Sequence, residues 1–180
     1  MKKITGLVVF IILSFTACKI DDQGDIMKVF NKINADIPKY KHKTIDMTGI
    51  TRDGGTITGF YDGKELKKAM VEFYFDTGRD ISEYYYDDGA LALMVIQKYH
   101  YNRPYYYDEE RARANNDTIW YDDSKSEVKT IRCYFKDGDM IKWVDENKLS
   151  RQPDSHEFTQ QQKRSLSDSK RLKKMLDEAQ

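Results

Sequence analysis

Four closely spaced turn signals constrain this chain more than any other feature. Asp53-Gly54-Gly55, Asp62-Gly63, Thr77-Gly78 and Asp88-Gly89 separate runs in which apolar residues alternate with polar ones. Glycine supplies the positive φ that tight hairpin turns need, so Asp-Gly between alternating runs is a strong hairpin signal. Connections this short join only antiparallel neighbours, because a parallel crossover takes a dozen residues or more. The runs Thr44–Arg52, Thr56–Tyr61, Glu65–Asp76, Arg79–Asp87 and Ala90–Tyr101 therefore predict an antiparallel β-meander. Thr118–Tyr121, Glu127–Lys136 and Met140–Asp145 return to the same pattern, with Asp137-Gly138 as a further turn. The expected total is about six to eight strands.

Two helices flank the meander. In Gln23–Ala35, Ile26, Val29, Phe30 and Ile33 share one helical face, with Asp25 as the expected N-cap and Pro38 beyond the end. From Glu157 to Gln180 there is no Gly or Pro, and Phe158, Leu166, Leu172, Met175, Leu176 and Ala179 form a sparse apolar stripe. Lys170, Arg171, Lys173 and Lys174 make this helix locally basic, so its polar face is either solvated or laid on anionic headgroups. Asp108–Ala114 predicts a short helix, with acids in its first turn and bases later. Along Ala90–Ile96 both parities are apolar, as in a central strand covered on both faces. The first helix is one candidate cover; the other is the final helix, a second layer or a partner. The fold class is α+β: a meander with an N-terminal helix packed on it and a C-terminal helix.

The first segment stands apart. Lys2 and Lys3 precede an apolar run from Ile4 to Leu13, then the small residues Thr16 and Ala17 and then Cys18. That order is the order of a secretory signal, and the run is too short to span a bilayer. Phe15-Thr16-Ala17-Cys18 resembles the lipobox of bacterial lipoproteins, with Phe where Leu is commoner. The resemblance implies cleavage before Cys18 and a lipid on its thiol, placing the chain on the cell envelope, with the outer membrane as the expected address. Lys19-Ile20-Asp21-Asp22 is similar to the short tag that follows the lipid cysteine in surface-exported lipoproteins, and it also reads as a solvated tether. The division is then 1–17 signal peptide, 18–24 lipidated tether, 25–149 meander domain, and 150–180 polar connector and C-terminal helix.

An aromatic pair followed by a turn recurs in Phe60-Tyr61-Asp62-Gly63, Tyr74-Phe75-Asp76-Thr77-Gly78, Tyr85-Tyr86-Asp87-Asp88-Gly89 and Tyr134-Phe135-Lys136-Asp137-Gly138. These units resemble the Tyr-Tyr-x-x-Gly repeats of MORN-like proteins. Their glycines are unevenly spaced, and aromatic strand ends joined by Asp-Gly hairpins account for the same pattern.

The 30 basic and 30 acidic residues balance, which argues against a nucleic-acid partner. Loss of residues 1–17 would leave a net charge of −2. No phosphate-binding glycine loop, zinc-protease motif or nucleophile elbow occurs, and His42, His100 and His156 are far apart. No catalytic residue, metal site or cofactor is expected. Asp108-Glu109-Glu110 and Asp122-Asp123 are the acidic clusters a hydrolase would draw on, and a solvated surface explains them equally well. Cys133 alternates onto a face with Ile131 and Phe135, which predicts a core thiol.

Tyrosine remains, 13 in 180 residues, with triplets at Tyr84-Tyr85-Tyr86 and Tyr105-Tyr106-Tyr107. In an extended triplet the middle ring faces the opposite way, so part of each triplet is structural. Tyr99, Tyr101, Arg103 and Tyr105 combine aromatic faces with a base at the end of the meander, and they are the expected partner-binding residues. The expected function is non-catalytic binding of an envelope protein or glycan. An envelope inhibitor or immunity-type protein, presenting Asn102–Asp117 as a protruding loop, is the alternative. A hydrolase using paired carboxylates is the third reading.

Overall fold

The computed structural model describes residues 22–49, 51 and 53–179. The signal segment, the lipobox, Cys18 and all of the tag except Asp22 lie outside the described residues, as does Arg52.

The chain forms α1 (Asp22–Asp36), β1 (Lys41–Asp46), β2 (Gly55–Asp62), β3 (Glu65–Phe75), β4 (Gly78–Asp87), β5 (Ala90–His100), α2 (Glu109–Ala114), β6 (Glu127–Lys136), β7 (Asp139–Val144) and α3 (His156–Glu178). The seven strands make one sheet in sequential order, every neighbour antiparallel. The fold is the expected α+β meander. Asp88 and Gly89, like Asp137 and Gly138, have positive φ at both turn positions, as a two-residue hairpin with the right twist requires.

Each face of the sheet carries one helix. On one side Ile26 and Ile33 of α1 pack with Tyr85, Leu93, Val95 and Tyr134. On the other, Phe158, Leu172 and Leu176 of α3 pack with Ile57, Ala69, Val71, Tyr84, Tyr86, Met94, Cys133 and Phe135. The second cover of β5 is thus the final helix. Its stripe is denser than its apolar residues suggest, because Ser165 and Ser169 are buried at the same spacing. Ser165 bonds back to the Gln161 carbonyl at 2.8 Å and Ser169 donates to the Tyr86 hydroxyl at 3.2 Å, so these small polar residues let the helix approach the sheet with their hydroxyls satisfied. All three rings of the Tyr84–Tyr86 triplet are buried, the middle one under α1 and the outer two under α3.

Three local expectations change. α1 begins by Asp22, so Asp25 lies inside its first turn and pairs with Lys28 at 2.7 Å instead of capping it. The first strand is displaced from Thr44–Arg52 to Lys41–Asp46. The Asp46 carboxylate takes the Thr48 backbone N–H and hydroxyl, at 2.8 and 2.6 Å, and turns the chain. Thr118–Tyr121 is no strand. Asp117 accepts the Ile119 N–H, Asn102 donates to the Trp120 carbonyl and the Tyr121 N–H donates to the Tyr107 carbonyl, so these backbone groups bond within the loop and not to a neighbouring strand.

The two ends of the sheet differ. One end carries the turns at 63–64, 88–89 and 137–138 and the entry to β1. Both helices tie down there: Lys136 pairs with Asp22 of α1, Gln162 of α3 bonds Asp139 at 3.1 Å, and Lys173 reaches the Gly89 carbonyl. The far end carries the described residues between β1 and β2, the turn at 76–77 and the loop from 101 to 126. Among the described residues no helix is long and apolar enough to cross a membrane.

Candidate functional site: an aromatic end opposite the start of the first helix

The far end is built on close backbone contacts. Gly78 opens β4 where any Cβ would collide with the Tyr99 carbonyl oxygen, so glycine is required for strand approach here. The Tyr101 N–H donates to the Thr77 carbonyl and the Tyr105 N–H to the Asp76 carbonyl, both at 2.9 Å. These bonds fold the start of the long loop back over the β3–β4 turn. The loop is then braced from within. The Arg103 guanidinium pairs with Asp117 at 2.8 Å and lies 5.6 Å from the Tyr107 ring centre. Asn102 clamps the returning segment of the loop, donating to the Trp120 carbonyl at 2.9 Å and accepting the Asp122 N–H at 3.0 Å. Tyr101 meets Tyr121 edge-on at 5.1 Å. The Ile119 N–H and Arg103 hold the Asp117 carboxyl below its ordinary range. Burial raises the Tyr101 and Tyr121 hydroxyls above their ordinary range, and the Tyr121 hydroxyl donates to Asp123 at 3.2 Å.

Most of the large apolar side chains left exposed gather here. Tyr74, Phe75, Tyr105, Tyr106, Ile119, Trp120 and Val128 are each at least 40% exposed, and among the described residues only Ile141 and Leu149 are exposed large apolar side chains on or after β7. Tyr105 and Tyr106 form an edge-to-face pair at 5.6 Å. A cavity of about 420 Å³ opens between Asp53, Tyr74, Phe75, Asp76, Tyr101 and Tyr105.

No family model, curated protein or solved structure matches this chain.

The four residues proposed from sequence fall into two groups. Tyr101 and Tyr105 line the cavity. Arg103 is a brace, engaged by Asp117. Tyr99 lies on β5 against the Arg79 guanidinium, 4.5 Å from its ring centre, and is half-buried. Sequence reasoning missed Tyr74, Phe75, Asp76 and Asp53. The signal available was the Thr77-Gly78 turn, since a hairpin ending there sets Phe75 beside the exit of β5.

A second cavity, of about 410 Å³, lies at the opposite end among Asp22, Asp25, Asp87, Asp88 and Asp137. Asp22 is paired with Lys136 and Asp25 with Lys28. Among the described residues no cluster of His, Cys, Asp and Glu has the arrangement of a metal site.

Proposed function

We propose that this chain is a lipid-anchored lipoprotein of the cell envelope, held on the outer membrane through Cys18, that binds a protein or glycan partner without catalysis. The concentration of exposed aromatic side chains at the far end of the sheet carries the reading. A monomer gains nothing from leaving Trp120, Tyr105 and Tyr106 in water on a rigidly braced loop, and such side chains are the usual anchors of recognition surfaces. The bracing lowers the entropy lost on binding, because the loop is ordered beforehand. An inhibitor-type protein is the second reading, favoured by the same pre-organised loop. A hydrolase is disfavoured because Asp108, Glu109, Glu110 and Asp123 are exposed and Asp122 is engaged by Ser124 and Lys125, whereas a carboxyl general acid works from a desolvated position.

The test is a pull-down from native envelopes with the full chain as bait. Tyr105→Ala with Trp120→Ala should lose the partners that the parent captures, with unchanged circular dichroism. Capture of the same partners by the folded variant refutes the binding surface. Separately, Cys18→Ala should move the protein into the detergent-free wash; retention on membranes defeats the lipid anchor.

A further inference from the structure

Among the described residues the walls of the far-end cavity are four ring systems, Tyr74, Phe75, Tyr101 and Tyr105, and two carboxylates, Asp53 and Asp76, with no basic side chain. Among the described residues neither carboxylate has an ion pair or a side-chain hydrogen bond. The same end of the molecule repeatedly sets a guanidinium against a ring. Arg79 lies 4.5 Å from the Tyr99 centre, Arg103 5.6 Å from Tyr107 and Arg111 5.4 Å from Tyr106. No cation of the described chain sits over the four cavity rings in this way. Arg79 acts on the Tyr101 hydroxyl from outside the cavity and is opposed there by Asp123. The cavity thus has the ring faces and the negative charge of a cation site, and no cation of the described residues fills it. Acidic glycans and phosphates meet like charge here.

We propose that this cavity receives a lysine or arginine side chain of a partner protein, its charge paired by Asp53 and Asp76 and its stem laid against Tyr101 and Tyr105. The inference rests on the binding role above and names its partner. A protein is favoured over a free amine by the rim, since Tyr106, Ile119 and Trp120 are exposed around the same loop and offer apolar surface that a small cation leaves uncovered. A charged anchor inside an aromatic rim is how protein interfaces concentrate their affinity.

The test titrates the full chain in detergent with N-acetyl-arginine amide, N-acetyl-lysine amide, N-acetyl-glutamate amide, N-acetylglucosamine and spermidine, following tyrosine ring signals by NMR. The two basic amides should shift the Tyr101 and Tyr105 signals saturably, more weakly as salt rises. Asp53→Asn with Asp76→Asn should cost at least about tenfold in affinity. Both carboxylates are exposed, so this variant keeps its fold, and an unchanged spectrum elsewhere checks that. Equal saturation by the sugar or the glutamate amide overturns the cation preference. Spermidine binding more than about a hundredfold tighter than the basic amides overturns the protein source in favour of a free polyamine. If the basic amides move nothing while Tyr105→Ala with Trp120→Ala still loses its envelope partners, this inference falls and the binding role stands.

Discussion

At the scale of single residues, burial decides what each titratable group can do. Cys133 is completely buried beneath α3, and desolvation pushes its thiol up to about 12. The thiolate is the reactive form, so the native protein should resist iodoacetamide at pH 8 and react at Cys133 only when unfolded. Rapid native labelling at that position would contradict the burial. Asp145 shows the opposite case. It accepts the backbone N–H groups of Leu149 and Asn147, each at 2.9 Å, and pairs with Arg151 at 2.7 Å. The Leu149 bond leads in holding its carboxyl below the ordinary range. A lowered folded value means stability that is complete above the unfolded value, about 3.9, and lost as pH falls through the lower folded one. Asp145→Asn removes that titration, so urea midpoints measured downward from about pH 5 should fall less steeply in the variant than in the parent. Parallel curves would show that Asp145 is not linked to folding.

At the scale of elements, the packing of α3 is set by what the sheet omits. Gly59 of β2 lies beneath Leu176, and an added Cβ would come within 3.0 and 3.1 Å of the two Leu176 methyl carbons and 2.9 Å of the Tyr61 ring. Gly59→Ala should destabilise the fold by roughly 1–3 kcal/mol through overpacking. Leu176→Ala should cost about 2–5 kcal/mol through the cavity it leaves. The two changes act on one contact, so the double variant should be more stable than their sum predicts, read from denaturant midpoints as a mutant cycle. Strict additivity would mean that α3 does not press on β2 at this point. Beneath α1, Lys68 is buried with Glu83 at 2.6 Å and lies 4.9 Å from the Tyr85 ring centre. A lysine in an alternating strand looks solvent-facing in sequence, and only the helix laid across it makes this a buried pair.

At the scale of the whole molecule, the polarity of the sheet gives the proposed anchor a direction. Residue 18 is four positions before Asp22, a reach of at most about 14 Å, and α1 starts beside Lys136 at the hairpin end. The 11 residues of β5 then extend about 36 Å toward the aromatic end. On a lipid tether the aromatic end would stand away from the bilayer. A fluorophore on Asp137→Cys in the lipidated protein should be quenched by headgroup-labelled lipid, and one on Tyr105→Cys should not. Equal quenching would rule out this orientation. Buried Cys133 leaves the labelling specific.

The meander and its strand order were legible in the amino-acid sequence because Asp-Gly turns and period-two alternation are local properties, fixed by backbone sterics within a few residues. The two apolar parities of Ala90–Ile96 likewise announced two covers. The apolar stripe of α1 already marked it as one cover; which of the final helix, a second layer or a partner would be the other was not legible, since docking α3 depends on Ser165, Ser169 and Gly59, whose smallness matters only opposite a particular partner. The binding end followed the same rule. Tyr101 and Tyr105 stood out as aromatics near a base, yet Arg103 is engaged by Asp117, and Tyr74, Phe75, Asp53 and Asp76 join the cavity from the β1–β2 loop and the β3–β4 hairpin. Local chemistry is written along the chain, whereas charge pairing and cavity walls arise between segments far apart in it, and only tertiary packing brings those together.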